Sequence, residues 1–265
     1  MSLISDTGRW TRTVITNAGY TSGLTLGTLM RSHHMGKRWR FFMDQAYAIG
    51  VKALPVTMVV ALFAGMILAL QTGIELRRFG QSQMIGTITA LSMCREMGPF
   101  MTALILAATV GSSMAAEVGT MKVSDEVTAL DVMSVDTTSY LVVPRVLALT
   151  IMCPILTVMS NLLGIFGGSL IGANKLGVST TIYWDSVRNA LLDADAIFPK
   201  DVYTGLFKAV VFGCMIAAAS CSTGLRASGG ALGVGRAVQQ AVKNSILLII
   251  VVGYIITWFF YFFLK

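Results

Sequence analysis

Residues Met93–Met121 read MCREMGPFMTALILAATVGSSMAAEVGTM. Within them, the uncharged run Met97–Ala116 is long enough to cross a bilayer, which needs about 20 apolar residues. A carboxylate stands at each end of this run, at Glu96 and Glu117, and Arg95 adjoins the first. Because a charge at membrane depth is costly unless it is paired, we expect these side chains to have a partner or a functional role.

The composition of the whole chain is that of an integral membrane protein. Of its 265 residues, 55% are hydrophobic and 12% are charged, whereas a soluble domain carries about 25% charged residues. The net charge of +7 comes from Lys and Arg beside apolar segments, which indicates topology determinants and lipid-headgroup contacts rather than a nucleic-acid surface. The length predicts one membrane domain over residues 1–265, and we find no pattern of a cleavable signal peptide.

Five segments have the length and polarity of membrane spans. They lie near Val51–Gln71, Ile85–Ala116, Leu141–Ile171, Tyr203–Cys221 and Ser245–Leu264. Lys and Arg favour the N-terminal side of the membrane, so we predict a cytoplasmic N-terminus and an external C-terminus. Region 1–45 predicts a helix on the cytoplasmic membrane surface, with a structureless basic tail as the alternative, and 46–265 forms the five-span domain. The apolar spacing within Thr180–Asp201 predicts a short amphipathic helix at the outer surface.

Glu96 and Lys208 are the first candidate site residues. Glu96 lies about 16 Å inward from the outer end of the second span at 1.5 Å per residue, and Lys208 lies near the outer end of the fourth. Both could face a polar cavity and pair, or contact a zwitterionic headgroup; a structural ion pair or a snorkelling Lys208 is the alternative. Arg95 points about 100° away from Glu96 on a helix, so it is not the expected partner. Pro99 removes a backbone donor from this turn and could expose carbonyls to the cavity.

A second candidate is the segment Met121–Asp136, which connects the second and third spans. Ser124 could cap a short helix there. Its acidic and apolar positions are Asp125, Glu126, Val127, Leu130 and Met133. We interpret this segment as a helix that docks into a groove on a cytoplasmic ATPase, with an ordinary amphipathic loop as the alternative.

The sequence shows no pattern for chemistry of its own. Gly230–Ala237 has the glycine spacing of a phosphate loop, but it lacks the Lys and the Ser or Thr and follows no strand. The adjacent His33 and His34 have no acidic or cysteine neighbours. The four cysteines lie in or near apolar segments and form no C-x-x-C pair. We therefore expect a non-enzymatic chain that binds no metal and no cofactor.

Several motifs together resemble those of the MlaE/YrbE permease family, the membrane subunits of ABC transporters that move lipids between bacterial membranes. The motifs are REMGP (95–99), GS (111–112), AEVGTM (116–121), VPR (143–145) and GGSL (167–170). Each is weak alone, and their combination is specific. The resemblance implies an all-α integral membrane protein with an N-terminal interfacial helix plus five transmembrane helices, in the exporter-like lipid ABC permease fold.

The resemblance also implies partners and a location. It implies a homodimer in a bacterial inner membrane, a cytoplasmic ABC ATPase dimer that binds ATP and Mg, and a periplasmic ring of MCE-domain protein. A small cytoplasmic accessory subunit could join them, and phospholipid is the implied cargo. By position, the residues that would line or approach an outward-facing lipid cavity are Glu96, Lys208, Leu68, Phe79 and Met97. The implied ATPase-coupling residues are Asp125, Glu126, Leu130 and Met133. On this basis we expect Glu96→Lys to fold but to lose lipid transport.

Two positions depart from the family pattern, and two other functions stay open. Thr109 stands where the family often has Arg, and Gly253 where it often has Asp, which suggests that the two groups pair in relatives.

An ion-coupled secondary transporter could use Glu96 and Glu117 as proton carriers, and a membrane scaffold could anchor partners without transport. The absence of an obvious internal repeat and the coupling-like segment favour the permease.

Overall fold

The computed structural model describes residues 39–192 and 200–263, together with the helical residues 19, 21, 23–25, 27 and 28. Within this part of the chain, every regular element is helical and five helices are long and apolar enough to cross a membrane. They are Arg40–Arg78, Ser82–Val123, Thr138–Lys175, Lys200–Gly224 and Gly230–Phe262. The predicted all-α fold with five spans is confirmed. The helices extend beyond the predicted apolar runs because polar flanking residues continue the same helices.

The first two spans differ in regularity. Helix α1 (Trp39–Arg78) is continuous through Pro55 and leads into the 3-10 turn Ser82–Met84. The second span is assembled from α2 (Ile85–Ser92), α3 (Gly98–Leu106) and α4 (Ser112–Val123). Two π-helical turns, Met93–Met97 and Ala107–Gly111, join these pieces. A π-helical turn widens the helix locally and is frequent at functional sites.

The remaining elements complete the bundle. Helix α5 (Glu126–Val132) follows the second span, and the π-helical turn Thr138–Val142 leads into α6. The later helices are α6 (Val143–Lys175), α7 (Thr180–Leu191), α8 (Lys200–Gly224) and α9 (Gly230–Phe263). Glycines 230, 233 and 235 of the phosphate-loop-like motif therefore lie in the first turns of α9.

The described part of the N-terminal segment packs on the bundle. Leu24 belongs to the main apolar core and is 8% exposed. The Thr21 hydroxyl lies 2.9 Å from the Ser222 hydroxyl near the end of α8. Most of the predicted interfacial helix in region 1–45 lies outside the described residues, so its contact with a membrane surface stays a prediction.

Helices α1 and α6 pack side by side in the same direction. Gly65 lies against the backbone carbonyl of Gly164. Gly50 contacts a side chain nearer the start of α6, and Gly73 contacts one just past its end. Small residues permit this close approach of two helix backbones. The parallel arrangement puts the C-terminal ends of α1 and α6 at the same end of the bundle.

Helix α7 confirms the predicted short helix within Thr180–Asp201, and Tyr183 anchors it. Tyr183 is fully buried in a second apolar cluster and donates a hydrogen bond of 3.0 Å to the Ile165 carbonyl. Burial raises the pKa of Tyr183 to about 12. Val187 is buried with it, whereas Trp184, the residue after Tyr183, is 41% exposed. Tyr183, and not Trp184, is therefore the aromatic side chain of α7 that enters the bundle.

Candidate functional site

The structure brings Glu96 and Lys208 into direct contact. The Lys208 Nζ atom lies 2.5 Å from Glu96 Oε1. The Lys208 side chain is 1% exposed, whereas that of Glu96 is 42% exposed. The ammonium is thus enclosed and the carboxylate presents its other side to open space. Snorkelling of Lys208 to the surface is excluded in this conformation, and the side chain available to a ligand is that of Glu96.

Pro99 explains the second contact of the ammonium. Proline has no backbone N–H, so Pro99 cannot donate to the carbonyl of Arg95 four residues earlier. Lys208 Nζ donates to that carbonyl oxygen at 3.1 Å. The widened turn Met93–Met97 lies at the same place, with the Gly98 N–H bonded to the Met93 carbonyl. We expected Pro99 to expose a carbonyl of this turn to the cavity; the Arg95 carbonyl instead accepts a hydrogen bond from Lys208 of the same chain.

Two residues that sequence reasoning did not select complete the immediate surroundings of Glu96. The Thr257 hydroxyl of α9 lies 3.1 Å from Glu96 Oε1 and 2.8 Å from the Gly253 carbonyl oxygen. Gly205 of α8 packs against the Cys94 carbonyl, where no larger residue fits. Neither residue belongs to a recognisable local pattern, since their roles arise from how α8 and α9 cross the second span.

Arg95 pairs away from Glu96, as its helical position predicts. Its Nε atom donates to Asp201 Oδ1 at 2.6 Å, and a second guanidinium nitrogen also contacts that oxygen. Asp201 lies in the first turn of α8, about two turns before Lys208. Two ion pairs therefore join the widened turn to α8. In one pair the turn contributes the cation, Arg95, and in the other it contributes the anion, Glu96.

The structure does not join all five predicted cavity residues into one group. Leu68 is half-buried and packs against the second apolar cluster, which contains Met93 and Cys94. Met97 is 38% exposed and adjoins Glu96 in sequence. Phe79 follows the end of α1 and is 77% exposed. Contact of Leu68, Phe79 and Met97 with a lipid stays a prediction.

A second ion pair, formed by a buried arginine and a half-exposed glutamate, lies towards the other end of the second span. Arg145 of α6 is almost fully buried, and its side chain lies 3.3 Å from Glu117 Oε2 of α4. It also donates to the Leu141 carbonyl at 2.8 Å and lies 5.6 Å from the Phe41 ring centroid. The sequence suggested only a basic residue flanking a loop. Arg145 instead ties together α1, α4 and α6 next to the connection that carries α5.

The predicted coupling segment contains a helix, shorter than the segment and with a different cap. The N-cap of α5 is Asp125, with a left-handed φ of 59° and no side-chain cap. Ser124 was expected as the cap, but its hydroxyl lies 2.9 Å from both the Thr120 carbonyl oxygen and a Glu126 carboxylate oxygen. Ser124 therefore closes the end of α4 rather than capping α5.

The apolar stripe of α5 is divided between the bundle and the surface. Val127 is buried and Leu130 is half-buried, whereas Met133 is 63% exposed. Val132, which the stripe did not include, is 81% exposed. The acidic pair Asp125 and Glu126 is exposed. Two neighbouring apolar side chains at the end of α5 are thus available to a partner.

The helix register separates Thr109 from Gly253. Helix α9 runs antiparallel to the second span, with Thr257 beside Glu96 and Val234 beside Gly119. Thr109 is then level with residue 244, which is about 13 Å along the axis from Gly253 at 1.5 Å per residue. A direct pair between these two positions is not favoured within one protomer. Gly253 instead lies one turn from Thr257, close to the Glu96 site.

Among the residues placed in the structure, no group of three or more His, Cys, Asp or Glu side chains could hold a metal ion.

Comparisons with known proteins agree with this architecture. A sequence model of the family described as Permease MlaE matches residues 42–259. A probable ABC transporter permease protein of Rickettsia prowazekii is 42% identical over 217 residues, 82% of each chain. Protein TRIGALACTOSYLDIACYLGLYCEROL 1, chloroplastic, of Arabidopsis thaliana is 35% identical over 223 residues, 84% of this chain and 62% of that protein. The intermembrane phospholipid transport system permease protein MlaE of Haemophilus influenzae is 28% identical over 257 residues, 97% of each chain.

Five spans, an ion pair between the second and fourth of them and relatives named as permeases define a multi-pass membrane permease of the ABC transporter class. Within that class, the chain belongs to the MlaE permease family. The family resemblance seen in the sequence motifs is confirmed.

Proposed function

We propose that this chain is the permease subunit of an ATP-driven transporter that moves phospholipid, or a related lipid, between the inner and outer membranes of a bacterium. The observation that carries the proposal is the half-exposed Glu96 carboxylate held by the enclosed Lys208 ammonium. Family membership and the name of the Haemophilus relative support a lipid as cargo.

The geometry gives Glu96 and Lys208 different tasks. Lys208 holds the carboxylate in place and occupies the carbonyl left free by Pro99. Glu96 keeps an accessible oxygen that can meet the cationic part of a zwitterionic headgroup, while Met97 and the more distant Leu68 and Phe79 contact acyl chains. When the cationic part of a headgroup competes with Lys208 for the Glu96 carboxylate, the ion pair loosens and the cavity changes shape. The pair therefore acts as both contact and gate.

ATP hydrolysis takes place on a partner in this proposal. A cytoplasmic ABC ATPase dimer binds ATP and Mg and docks on α5 through Leu130, Met133 and the acidic Asp125 and Glu126. Arg145 links the neighbouring helix ends, so displacement of α5 reaches the spans. The permease is a homodimer with its lipid cavity at the dimer axis. A periplasmic ring of MCE-domain protein and a small accessory subunit complete the assembly, with the N-terminus of the permease cytoplasmic and its C-terminus periplasmic.

The test begins with the intact complex. The protein is affinity-purified from its native membrane in mild detergent, and native mass spectra are recorded. An ATPase dimer and bound phospholipid support the proposal, whereas a lone protein that transports under a proton gradient supports the ion-coupled alternative.

The complex is then reconstituted, and ATP-dependent transfer of labelled phospholipid is compared between Glu96→Gln and Asp185→Asn. Both variants neutralise one carboxylate, and Asp185 lies exposed on α7. We expect at least a tenfold loss of transfer for Glu96→Gln only. Equal transfer by both variants removes Glu96 from the site, and transfer without ATP removes the ATP-driven mechanism.

A further inference from the structure

A basic groove lies where α1 and α6 end side by side. Its volume is about 550 Å³. It is lined by Leu70, Ile74, Arg77, Arg78, Lys175 and Leu176. Leu176 packs against Gly73 and forms the apolar base between the two helices. The groove therefore combines three cationic side chains with an apolar floor.

The positive charge of the groove is only partly neutralised. Arg78 pairs with Glu75 at 3.2 Å on the exposed surface. No carboxylate of the described residues forms an ion pair with Arg77 or Lys175, and both side chains are exposed. Two cations that stand on different helices and share one groove attract an anion to the space between them.

An apolar stripe continues from the groove along α1. The exposed side chains Phe63, Ile67, Leu70 and Ile74 follow at spacings of three and four residues, which puts them on one face of the helix. The stripe continues through the exposed Val59 and Val56, and from Val56 to Ile74 it is about 27 Å long at 1.5 Å per residue, close to the thickness of the hydrocarbon core. The part next to the groove, from Phe63 to Ile74, covers about 16 Å of that depth.

This face is not the one assigned to the transported lipid. Leu70 is two residues from Leu68, so it points about 200° away around the helix axis. Taken over Phe63 to Ile74, the stripe is centred about 130° around the helix axis from Leu68, so the groove and its stripe lie on a different face of α1.

We infer that the groove binds the phosphate of an anionic phospholipid, with Arg77 and Lys175 as its ligands and an acyl chain along the α1 stripe. An anionic head with an apolar tail satisfies both the cations and the apolar stripe at once. A free phosphate leaves the stripe uncovered, and an acidic protein segment makes no use of its apolar side chains. The site holds a lipid from the surrounding leaflet, on the side of α1 away from the transport cavity.

The experiment uses the full chain in neutral detergent without its ATPase, so that its result is independent of transport. The probe is phosphatidylglycerol with a photoreactive diazirine in one acyl chain, and labelled peptides are identified by mass spectrometry. The matching diazirine diacylglycerol, which has no phosphate, reports labelling by the acyl chain alone. Millimolar inorganic phosphate is added as a competitor in a separate arm.

We expect phosphatidylglycerol to label residues 63–74 and Arg77→Gln/Lys175→Gln to lower this labelling about tenfold, the loss that corresponds to about 1.4 kcal/mol. The charge-conserving Arg77→Lys/Lys175→Arg should label as the wild type does. The control Arg236→Gln/Lys243→Gln removes the same two charges from exposed positions of α9 and should change nothing. Melting temperatures of all variants show whether the fold is kept.

Any one of four results overturns the inference. Unchanged labelling of the Arg77→Gln/Lys175→Gln variant removes the two cations as ligands. Equal labelling by the diacylglycerol shows that only the apolar stripe binds. Complete displacement by inorganic phosphate shows a free-phosphate site. Loss of a copurifying protein from native membranes in the same variant, with labelling retained, identifies an acidic partner instead.

Discussion

Gly205 lies directly against the backbone carbonyl of Cys94, in the widened turn of the second span. One turn later on the same face of α8, Lys208 reaches the Arg95 carbonyl and the Glu96 carboxylate. The absence of a side chain at residue 205 therefore sets how deeply the Lys208 ammonium enters the site.

We predict that Gly205→Ala separates α8 from the widened turn. The added methyl group would overlap the Cys94 carbonyl, and overpacking of this kind costs about 1–3 kcal/mol. Thermal unfolding of the purified protein in detergent measures the loss. Gly235→Ala is the matched control, because Gly235 is also helical but has nothing within 4 Å of the added atom. Equal melting temperatures for the two variants would show that α8 does not need this close approach.

We predict that Glu96→Ala destabilises the protein more than Glu96→Ala/Lys208→Met does. The single variant leaves an enclosed ammonium without its counter-charge, a change that costs about 3–5 kcal/mol for a fully buried pair and less here because Glu96 is half-exposed. The double variant removes the ammonium as well. A double-mutant cycle of unfolding free energies measures the coupling. Strictly additive losses would contradict an ion pair that contributes to the fold.

The contact between Glu96 and Lys208 also decides which Glu96 variant is suited to a transport assay. The sequence favours Glu96→Lys as a test, and the structure shows that it would place a second ammonium against Lys208. Like charges at this distance repel strongly in a poorly solvated site. Glu96→Gln preserves the shape and a hydrogen-bond acceptor for Lys208, so it separates loss of function from loss of fold.

The number of spans could be read from the sequence, but the detailed pairing could not. The five apolar runs are long, so their existence depended on length and composition alone. Glu96 and Lys208 could be placed at similar depth from their distances to the span ends. Their contact, and the approach of Thr257, depend on the rotation and register of three helices against one another, which no local pattern encodes.

Arg145 shows the same limit at the other end of the bundle. Its position beside a loop is typical of a topology-determining residue in solvent. The structure buries it because Glu117 and the Phe41 ring approach it from two other helices and the Leu141 carbonyl from the preceding turn of its own span. Only the three-dimensional arrangement shows that this cation is enclosed.

We predict that Glu117→Gln is more destabilising than Glu75→Gln. Each glutamate pairs with an arginine, but Arg145 is buried and Arg78 is exposed. Surface pairs contribute about 0–1 kcal/mol, whereas a buried guanidinium that loses its counter-charge should cost about 1–3 kcal/mol because its hydrogen-bond partners remain. Thermal unfolding at low and high salt distinguishes the two. A larger effect of Glu75→Gln would contradict a structural role for the Arg145 pair.

We predict that stability falls between about pH 10 and 12 through Tyr183. Its pKa in the folded protein is about 12, above its ordinary value of 10, because burial disfavours the phenolate. The stabilisation is therefore complete below pH 10 and is lost as the pH rises towards 12. Melting temperatures across this range measure it. Tyr183→Phe should flatten the dependence of melting temperature on pH, and it should cost about 1 kcal/mol of stability for the lost hydrogen bond. The control Tyr254→Phe, at an exposed position of α9, should leave this dependence unchanged. An identical slope in both variants would exclude Tyr183 as its source.

We predict that Val132→Asp/Met133→Asp weakens binding of the ATPase by at least tenfold. Both side chains are exposed at the end of α5, and a charge at an apolar hot spot of an interface should cost at least the roughly 2 kcal/mol that truncation of such a residue costs. Copurification of the ATPase and ATP-stimulated lipid transfer are the measurements. Leu232→Asp, at a 79% exposed position in the first turn of α9, introduces the same charge near the same end of the bundle. If only Leu232→Asp loses the ATPase, the docking surface is the start of α9 and not α5. If neither variant loses it, apolar contacts at this end of the bundle do not hold the ATPase. The acidic residues Asp125 and Glu126 are then the next to replace.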